Sequence, residues 1–532
     1  MDGLIQKNKI LIIFLFILFL ASFFRLWQLD LTPPGLYPDI AINGNDALKS
    51  LETGNFKVFY SDNNGREGLF MWLIAISFSI FGISIWSIKI VAAVIGILTV
   101  LGLYLLTKEL FNNQKSMVSA QFIALLSSFF LAVSFWHVNF SRMGFRAILL
   151  PFILVFSFYF LFKGFRLKQF RNFIIAGAFF GLGFYTYTSF RLAVMILPVV
   201  LIIWWLIYKK ENFQKKYFFF AACFLFSIFI IGLPLGIYFL QTPQDFISRA
   251  TPISIFSQAN PAKAFVVSLI QHLGMFNFYG DPNWRHNFAG SPMLFWPVGI
   301  LLFCGIIFSI KELIFSVKNK NYSPLFIHGF LLSWFFAMLL PGILTYEGIP
   351  HSLRVIGVIP VVYIFSGLGG LKVYQLFKEN IKNKNLFLVA CLFFLLMIIA
   401  AEFDKYFVKW GKNPAVKKAF AIEYAEMGNY LNSLPPEIEK YVIVNELGFP
   451  LYGISIPAQT PMFIEATKFG KPNSIYIKAE ELDKIKLIKG KTVIISLYDG
   501  KIFNQLQEKF PAGIIKTANG FLVFEINQNN DK

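Results

Sequence analysis

From residue 10 to residue 402 the chain repeats one pattern, an apolar run followed by a short polar stretch. The runs lie near 10–27, 68–85, 86–107, 117–136, 147–162, 173–190, 192–208, 217–240, 293–310, 324–342, 354–371 and 385–402. All but 147–162, which is slightly short, have the length needed to cross about 30 Å of hydrocarbon. A backbone in lipid must satisfy its own polar groups, so such runs fold as helices. Composition agrees: 56% of residues are hydrophobic and 14% charged, where soluble domains carry roughly a quarter charged. There is too little polar surface to coat several globules, and disordered, collagenous and disulfide-stapled classes fall on the same numbers. Cys223, Cys304 and Cys391 each lie inside an apolar run, so no disulfide is expected. The expected class is a mainly α polytopic membrane protein. The first run has no small-x-small cleavage site and continues into Arg25, Leu26 and Trp27, which reads as an uncleaved span.

Charge sets the expected topology. If the run 68–85 does not cross, the polar loops of residues 1–403 divide into 19 basic and 5 acidic residues on one side, and 12 basic and 10 acidic on the other. The first side holds Lys7, Lys9, Lys108, Lys115, Lys163, Arg166, Lys168, Arg171 and the lysines at 209–216, 311–320 and 372–384. Positive loops stay in the cytoplasm. The pattern therefore predicts eleven spans in a plasma membrane, a cytoplasmic N-terminus, and an apolar helix over 68–85 lying at the outer interface. The formal charge of +19 is then mostly a topology signal and implies no nucleic acid. Two external loops follow, 28–85 and 241–292, within a membrane domain 1–403, and an external domain covers 404–532. That tail reads as small α/β. Asn413 and Pro414 open a helix over 414–433, β-branched strands occupy 441–445, 474–478 and 492–497, and Asn519–Gly520 makes a hairpin turn. It has no phosphate loop and no His/Cys cluster, so it reads as an accessory or acceptor-positioning domain.

The chain has 38 lysines and 10 arginines. Eight of the arginines fall on the outer face of the membrane part: Arg25, Arg66, Arg142, Arg146, Arg191, Arg249, Arg285 and Arg354. Topology alone is served by lysine. The planar guanidinium binds phosphate or carboxylate at two points, so this concentration points to an anionic ligand. Snorkelling to headgroups accounts for Arg25 and Arg249. Arg142 and Arg146 stand four apart beside His137, on what the spacing predicts is one helix face. No His-x-x-x-His or Cys-x-x-Cys pattern is present, and no metal site is expected. The first loop carries the acids Asp30, Asp39, Asp46, Glu52, Asp62 and Glu67. Asp39 follows the rigid stretch TPPGLYP. It reads either as a helix cap or as a general base held at the membrane surface, with the arginines stabilising a departing phosphate.

At these residues the chain resembles the GT-C superfamily of membrane glycosyltransferases, and within it the protein O-mannosyltransferase and aminoarabinose transferase group. PPGLYPDIAINGNDA (33–47) is similar to the loop that carries the family's catalytic aspartate, with Asp39 in its place. NNGREGLFMWLIAISFSIFG (63–82) resembles the family's interfacial helix. SFWHVNFSRMGFRA, GFYTYTSFRL, GDPNWRHN and GIPHSLRVIGVIP resemble further external motifs. Ile40 stands where the family usually has glutamate, which leaves Glu67 as the substitute acid. The resemblance implies a polyprenyl-phosphate-linked sugar as donor substrate, inversion at the anomeric carbon, and Asp39 as base; the sequence assigns no certain cofactor beside that donor. Arg66, Arg142, Arg146, Arg191 and Arg354 are then candidates for the lipid phosphate or sugar, with Tyr185, Tyr187, His137 and His351 lining the pocket. An aromatic belt is the alternative for the tyrosines. The acceptor, whether protein, lipid or glycan, stays open. The rival class is a transporter or flippase of a lipid-linked or anionic substrate, which should carry ionisable groups at mid-membrane, where these runs have almost none.

Overall fold

The computed structural model describes residues 2–112, 117–208, 214–247, 253–448, 450–451, 453–487, 490–498 and 500–528. Lys115, Lys209, Lys210 and Arg249 lie outside the described residues. The helices in chain order are α1 Asp2–Leu26, α2 Pro38–Thr53, α3 Leu69–Phe81, α4 Ile85–Phe111, α5 Met117–Val133, α6 Phe135–Met143, α7 Leu149–Leu167, α8 Phe170–Gly183, α9 Ile196–Tyr208 and α10 Gln214–Gln241. There follow α11 Pro243–Ile247, α12 Pro261–Gly274, α13 Trp296–Lys318, α14 Tyr322–Ile343, α15 Ile359–Asn380, α16 Lys384–Phe403, α17 Pro414–Ala419, α18 Ile422–Ser433, α19 Gln459–Phe469 and α20 Ile502–Lys509.

Among the described residues nine helices are long and apolar enough to cross a membrane, and a tenth span forms if α5 and α6, bent by 55° at Ser134, count as one. The protein is therefore a multi-pass membrane protein, one or two crossings short of the expected eleven. The difference lies in α8. Its helix stops at Gly183, and the residues expected to finish the span instead form a 3-10 stretch, Thr188–Met195, that leads into α9. At 1.5 Å per residue, α8 reaches only about 21 Å. The run 68–85 likewise yields a 13-residue helix, α3, which by itself is shorter than the hydrocarbon core. It buries Phe70, Met71, Ile74 and Phe78 and exposes Ile76, Ile80 and Phe81, as an interfacial helix would.

Packing divides the chain into two compact units: Met1–Trp27 with Ala92–Trp410, and Gln28–Val91 with Gly411–Lys532. The segment Gln28–Val91 thus groups with the tail rather than with the spans on either side of it in sequence. In the membrane unit, Gly305 on α13 and Gly369 on α15 let the two backbones meet. A β-carbon at either would collide with the carbonyl oxygen of Phe365 or Leu301, respectively, the close approach that small residues permit in lipid. The break between α5 and α6 frees backbone groups that a membrane interior cannot solvate. Arg25 of α1 donates to the carbonyls of Leu131 (3.2 Å) and Ala132 (2.8 Å), and Glu402 of α16 accepts from the Phe135 amide at 2.9 Å. Arg25 is fully buried, so it is a staple inside the bundle and does not reach for headgroups as its position suggested.

The second unit holds a five-stranded sheet of order β6-β3-β7-β9-β8. Its strands are β3 Glu439–Val444, β6 Ile475–Lys478, β7 Gly490–Ser496, β8 Ile514–Ala518 and β9 Phe521–Gln528. β6, β3 and β7 are parallel; β9 and β8 are antiparallel. Two further pairs are hairpins, β1 Phe59–Tyr60 with β2 Arg66–Glu67 and β4 Pro450–Leu451 with β5 Ile454–Ser455. The three expected strands and the Asn519–Gly520 turn are present, the latter with both φ positive as a type I′ turn requires. Asn413 caps α17 through the Ala415 amide. The single helix expected over 414–433 is instead two, parted at Ala421, whose φ is 50°.

Candidate functional site

Asp39 is the second residue of α2, after Pro38, whose fixed φ suits the first helical position. The cap position belongs to Tyr37, without a side-chain bond. The half-buried carboxylate accepts a 2.9 Å hydrogen bond from the Asn63 amide at Oδ1. Asn63 is placed by the turn of the β1–β2 hairpin, where Asn63, Asn64 and Gly65 all have positive φ. A neutral amide, and not a cation, orients the carboxylate through this bond. Ile40 is 1% exposed: the position that carries glutamate in the resembled family belongs here to the apolar core.

Arg66 leaves the same hairpin and points into α2. It pairs with Asp46 Oδ2 at 2.6 Å, donates to Asn43 Oδ1 at 3.1 Å, and lies over the Tyr60 ring. Asp46 is seven residues, two turns, beyond Asp39, so this buried pair locks the hairpin to the helix that bears the carboxylate. Glu67 is buried in β2, opposite Phe59.

The tail grips the same loop. Thr460 Oγ1 donates to the Leu36 carbonyl at 2.9 Å, and Asn45 Nδ2 donates to Gln459 Oε1 at 2.9 Å and to its carbonyl at 3.1 Å. Gly35, at φ +69°, sits where a β-carbon would meet the Phe420 carbonyl at 2.8 Å. Thr460→Val is therefore expected to leave a buried carbonyl unsatisfied and to destabilise the protein by about 1–3 kcal/mol, seen as a lower unfolding midpoint. Thr460→Ser should restore it.

In the membrane unit, Arg142 is fully buried and donates to the Phe24 (2.9 Å) and Trp27 (2.8 Å) carbonyls, with its guanidinium over Phe407 and Tyr406. His137 Nδ1 lies 2.7 Å from Arg25. Arg146 does not share a helix face with Arg142: α6 ends at Gly144 in the left-handed region, and Arg146 begins a separate 3-10 turn, over the Tyr187 ring. Tyr185 donates to the Ile231 carbonyl of α10 at 2.8 Å. Arg191 bonds the Phe246 carbonyl and stacks on that ring. Arg354 donates to Thr345 Oγ1 at 2.9 Å and the Glu347 carbonyl at 2.7 Å.

One cluster escaped the sequence reading. Asp281, His286 and His351 bring their ligand atoms within 4.8 Å of one another, against the expectation of no metal ligands. One carboxylate and two imidazoles are a set that zinc accepts. Here, however, Asp281 Oδ2 already takes His286 Nδ1 (3.0 Å), the Ser352 amide (2.7 Å) and Ser352 Oγ (2.8 Å), and Oδ1 takes the Asn283 amide (2.8 Å). An ion would compete with four donors, so the carboxylate acts as a hydrogen-bond hub joining the 281–287 turn to the 351–354 turn. Burial alone would raise the Asp281 carboxyl, but His286 and His351 overcome it and hold it well below the usual range. Burial, then His286 and Arg354, push the His351 imidazole well below its ordinary value. Burial also takes His272, whose Nε2 accepts from the His351 amide at 3.2 Å, down to about 4. A depressed histidine stabilises the fold above its unfolded pKa of about 6.5 and loses that contribution as pH falls. Amide hydrogen exchange around 345–355 should therefore quicken as pH falls from about 6.5 toward 5, once the intrinsic pH dependence is removed. His351→Gln should shrink that dependence.

A family model described as dolichyl-phosphate-mannose-protein mannosyltransferase matches residues 69–234. No curated protein matches the chain in sequence. Among solved structures, ArnT from Cupriavidus metallidurans bound to undecaprenyl phosphate aligns over 99% of this chain and 98% of its own, with TM-score 0.57 and 12% identity. The fold is that of the GT-C glycosyltransferases. The oligosaccharyltransferase of Archaeoglobus fulgidus in complex with zinc and sulfate aligns over 91% of this chain and 68% of its own, at TM-score 0.50 and 14% identity. Of the motifs that suggested GT-C, the hairpin, α3 and the segments around His137 and Tyr185 lie within or beside the matched stretch; the Asp281 and His351 turns lie beyond it.

Proposed function

We propose that this GT-C chain transfers a sugar from a polyprenyl-phosphate donor to an acceptor outside the cytoplasm, with inversion and with Asp39 as general base. The observation that carries the reading is the state of Asp39. It is a part-exposed carboxylate at a helix N-terminus, fixed by Asn63 and by a hairpin that a buried ion pair locks in place. Asp39 takes the proton of the acceptor's hydroxyl or amine as that atom bonds to the anomeric carbon. The bond from that carbon to phosphate breaks, and polyprenyl phosphate leaves. Support for the donor class comes from the fold shared with a protein seen bound to undecaprenyl phosphate and from the family model.

The remaining candidates divide chiefly by exposure. Arg66, Arg142, His137 and Tyr185 are buried and spent on protein partners, so we assign them positioning roles. Arg191, His351 and Arg354 are part-exposed and are the better donors to a lipid phosphate; the buried, mutually stacked Arg146 and Tyr187 are assigned to the sugar. Glu67, buried in β2, is not proposed as a second base. The test is to supply purified protein with polyprenyl-phosphate sugars and broken-envelope acceptor, and to follow release of polyprenyl phosphate. Release that depends on acceptor supports transfer. Movement of the intact donor across a bilayer without release supports the flippase reading instead.

A further inference from the structure

The close crossing of α13 and α15 at Gly305 and Gly369 has a geometric consequence toward their C-terminal ends. Two helices that meet backbone to backbone at one level must part beyond it. Below the crossing they open a cleft of about 460 Å³, lined by Cys304, Ile307, Phe308 and Lys311 of α13 and by Lys372, Val373, Leu376 and Glu379 of α15. Ile307 and Leu376 are 53% and 64% exposed, so the apolar walls face whatever fills the membrane around the helices. The two lysines stand at the cleft, Lys311 exposed and Lys372 half-buried with its ammonium 4.0 Å from the Phe308 ring centroid. Both helices run on from here into the lysine-bearing turns at Lys318, Lys320, Lys378 and Lys382.

We infer that this cleft is a binding site for an anionic glycerophospholipid of the bilayer, distinct from the residues assigned to glycosyl transfer. Its acyl chain would lie along Ile307, Phe308, Val373 and Leu376, and its phosphate would sit between Lys311 and Lys372. Basic pockets between spanning helices select charged headgroups in this way. The apolar walls exclude a free phosphate as the natural occupant, because the larger part of the cleft would stay unfilled. Glu379 on the rim sets a limit on headgroup charge and gives the site a built-in opposing test.

The experiment uses the full chain in non-ionic detergent, with native mass spectrometry after adding phosphatidylglycerol or phosphatidylcholine of identical acyl chains. The wild type should retain phosphatidylglycerol over phosphatidylcholine. Lys311→Gln with Lys372→Gln should lower phosphatidylglycerol retention about thirtyfold, the factor expected from removing two lysines at a membrane surface. Glu379→Gln should raise retention, and Ile307→Trp, which keeps both lysines and fills the cleft, should lower it. Glycosyl transfer measured in detergent should be unchanged in all of them. Equal retention of the two lipids by the wild type overturns the site. So does an equal loss from the control pair Lys215→Gln with Lys216→Gln, exposed lysines at the start of α10, because the effect would then be general surface charge. A failure of glycosyl transfer in the wild type would bear on the proposed function and leave these lipid outcomes readable.

Discussion

Replacing Asp39 by asparagine is expected to lower turnover by about 10²- to 10⁴-fold, the usual contribution of a positioned general base, with KM for the lipid-linked donor nearly unchanged. The substitution keeps size and hydrogen-bonding capacity, so α2, Pro38 and the contact to Asn63 should persist. What is lost is proton affinity. A residue that served only to cap a helix would behave differently: its loss would cost about 1 kcal/mol of stability and little turnover. Asp39 does not occupy the cap position, which is Tyr37. Unchanged turnover in a folded Asp39→Asn protein would remove it as the base.

Arg66→Met is expected to be the most destabilising single change, by about 3–5 kcal/mol, because it strands the buried Asp46 carboxylate. Removing both partners, as Arg66→Met with Asp46→Leu, should recover more than half of that loss, since the penalty lies in the unpaired charge. Thermal unfolding of the single and double variants measures the coupling. Activity separates the two roles available to Arg66. If it holds the hairpin against α2, the double variant should regain transfer along with stability. A double variant that is stable but inactive would show that Arg66 touches the donor, as the arginine distribution first suggested.

Much of this arrangement could be read from residues because the signals were local. Apolar runs set the spans, Asn519–Gly520 set its hairpin, Asn413–Pro414 set a helix start, and TPPGLYP placed Asp39 at the head of α2. Most of the misses were long-range. Nothing in the spacing tells that Arg25 binds the carbonyls of a helix break more than a hundred residues away, because burial reverses the meaning of an arginine at a span's end. Helical spacing put Arg142 and Arg146 on one face, and Gly144, which favours the left-handed conformation, cut the helix between them. Asp281 and His351 lie seventy residues apart, with no ligand spacing in either segment, so only tertiary structure could join them. The grip of Thr460 and Gln459 on the Asp39 loop is of the same kind. Asn63 carried the one recoverable hint: an Asn-Asn-Gly turn before Arg66 is a hairpin signal, and it places the amide that holds Asp39.

The decisive measurement is made in proteoliposomes loaded with a radiolabelled polyprenyl-phosphate sugar and supplied with acceptor. A glycosyltransferase with Asp39 as base should give labelled acceptor and free polyprenyl phosphate in equal amounts, with both falling together in Asp39→Asn. Labelled donor that crosses the bilayer intact, at the same rate in both proteins and with no labelled acceptor, would contradict it.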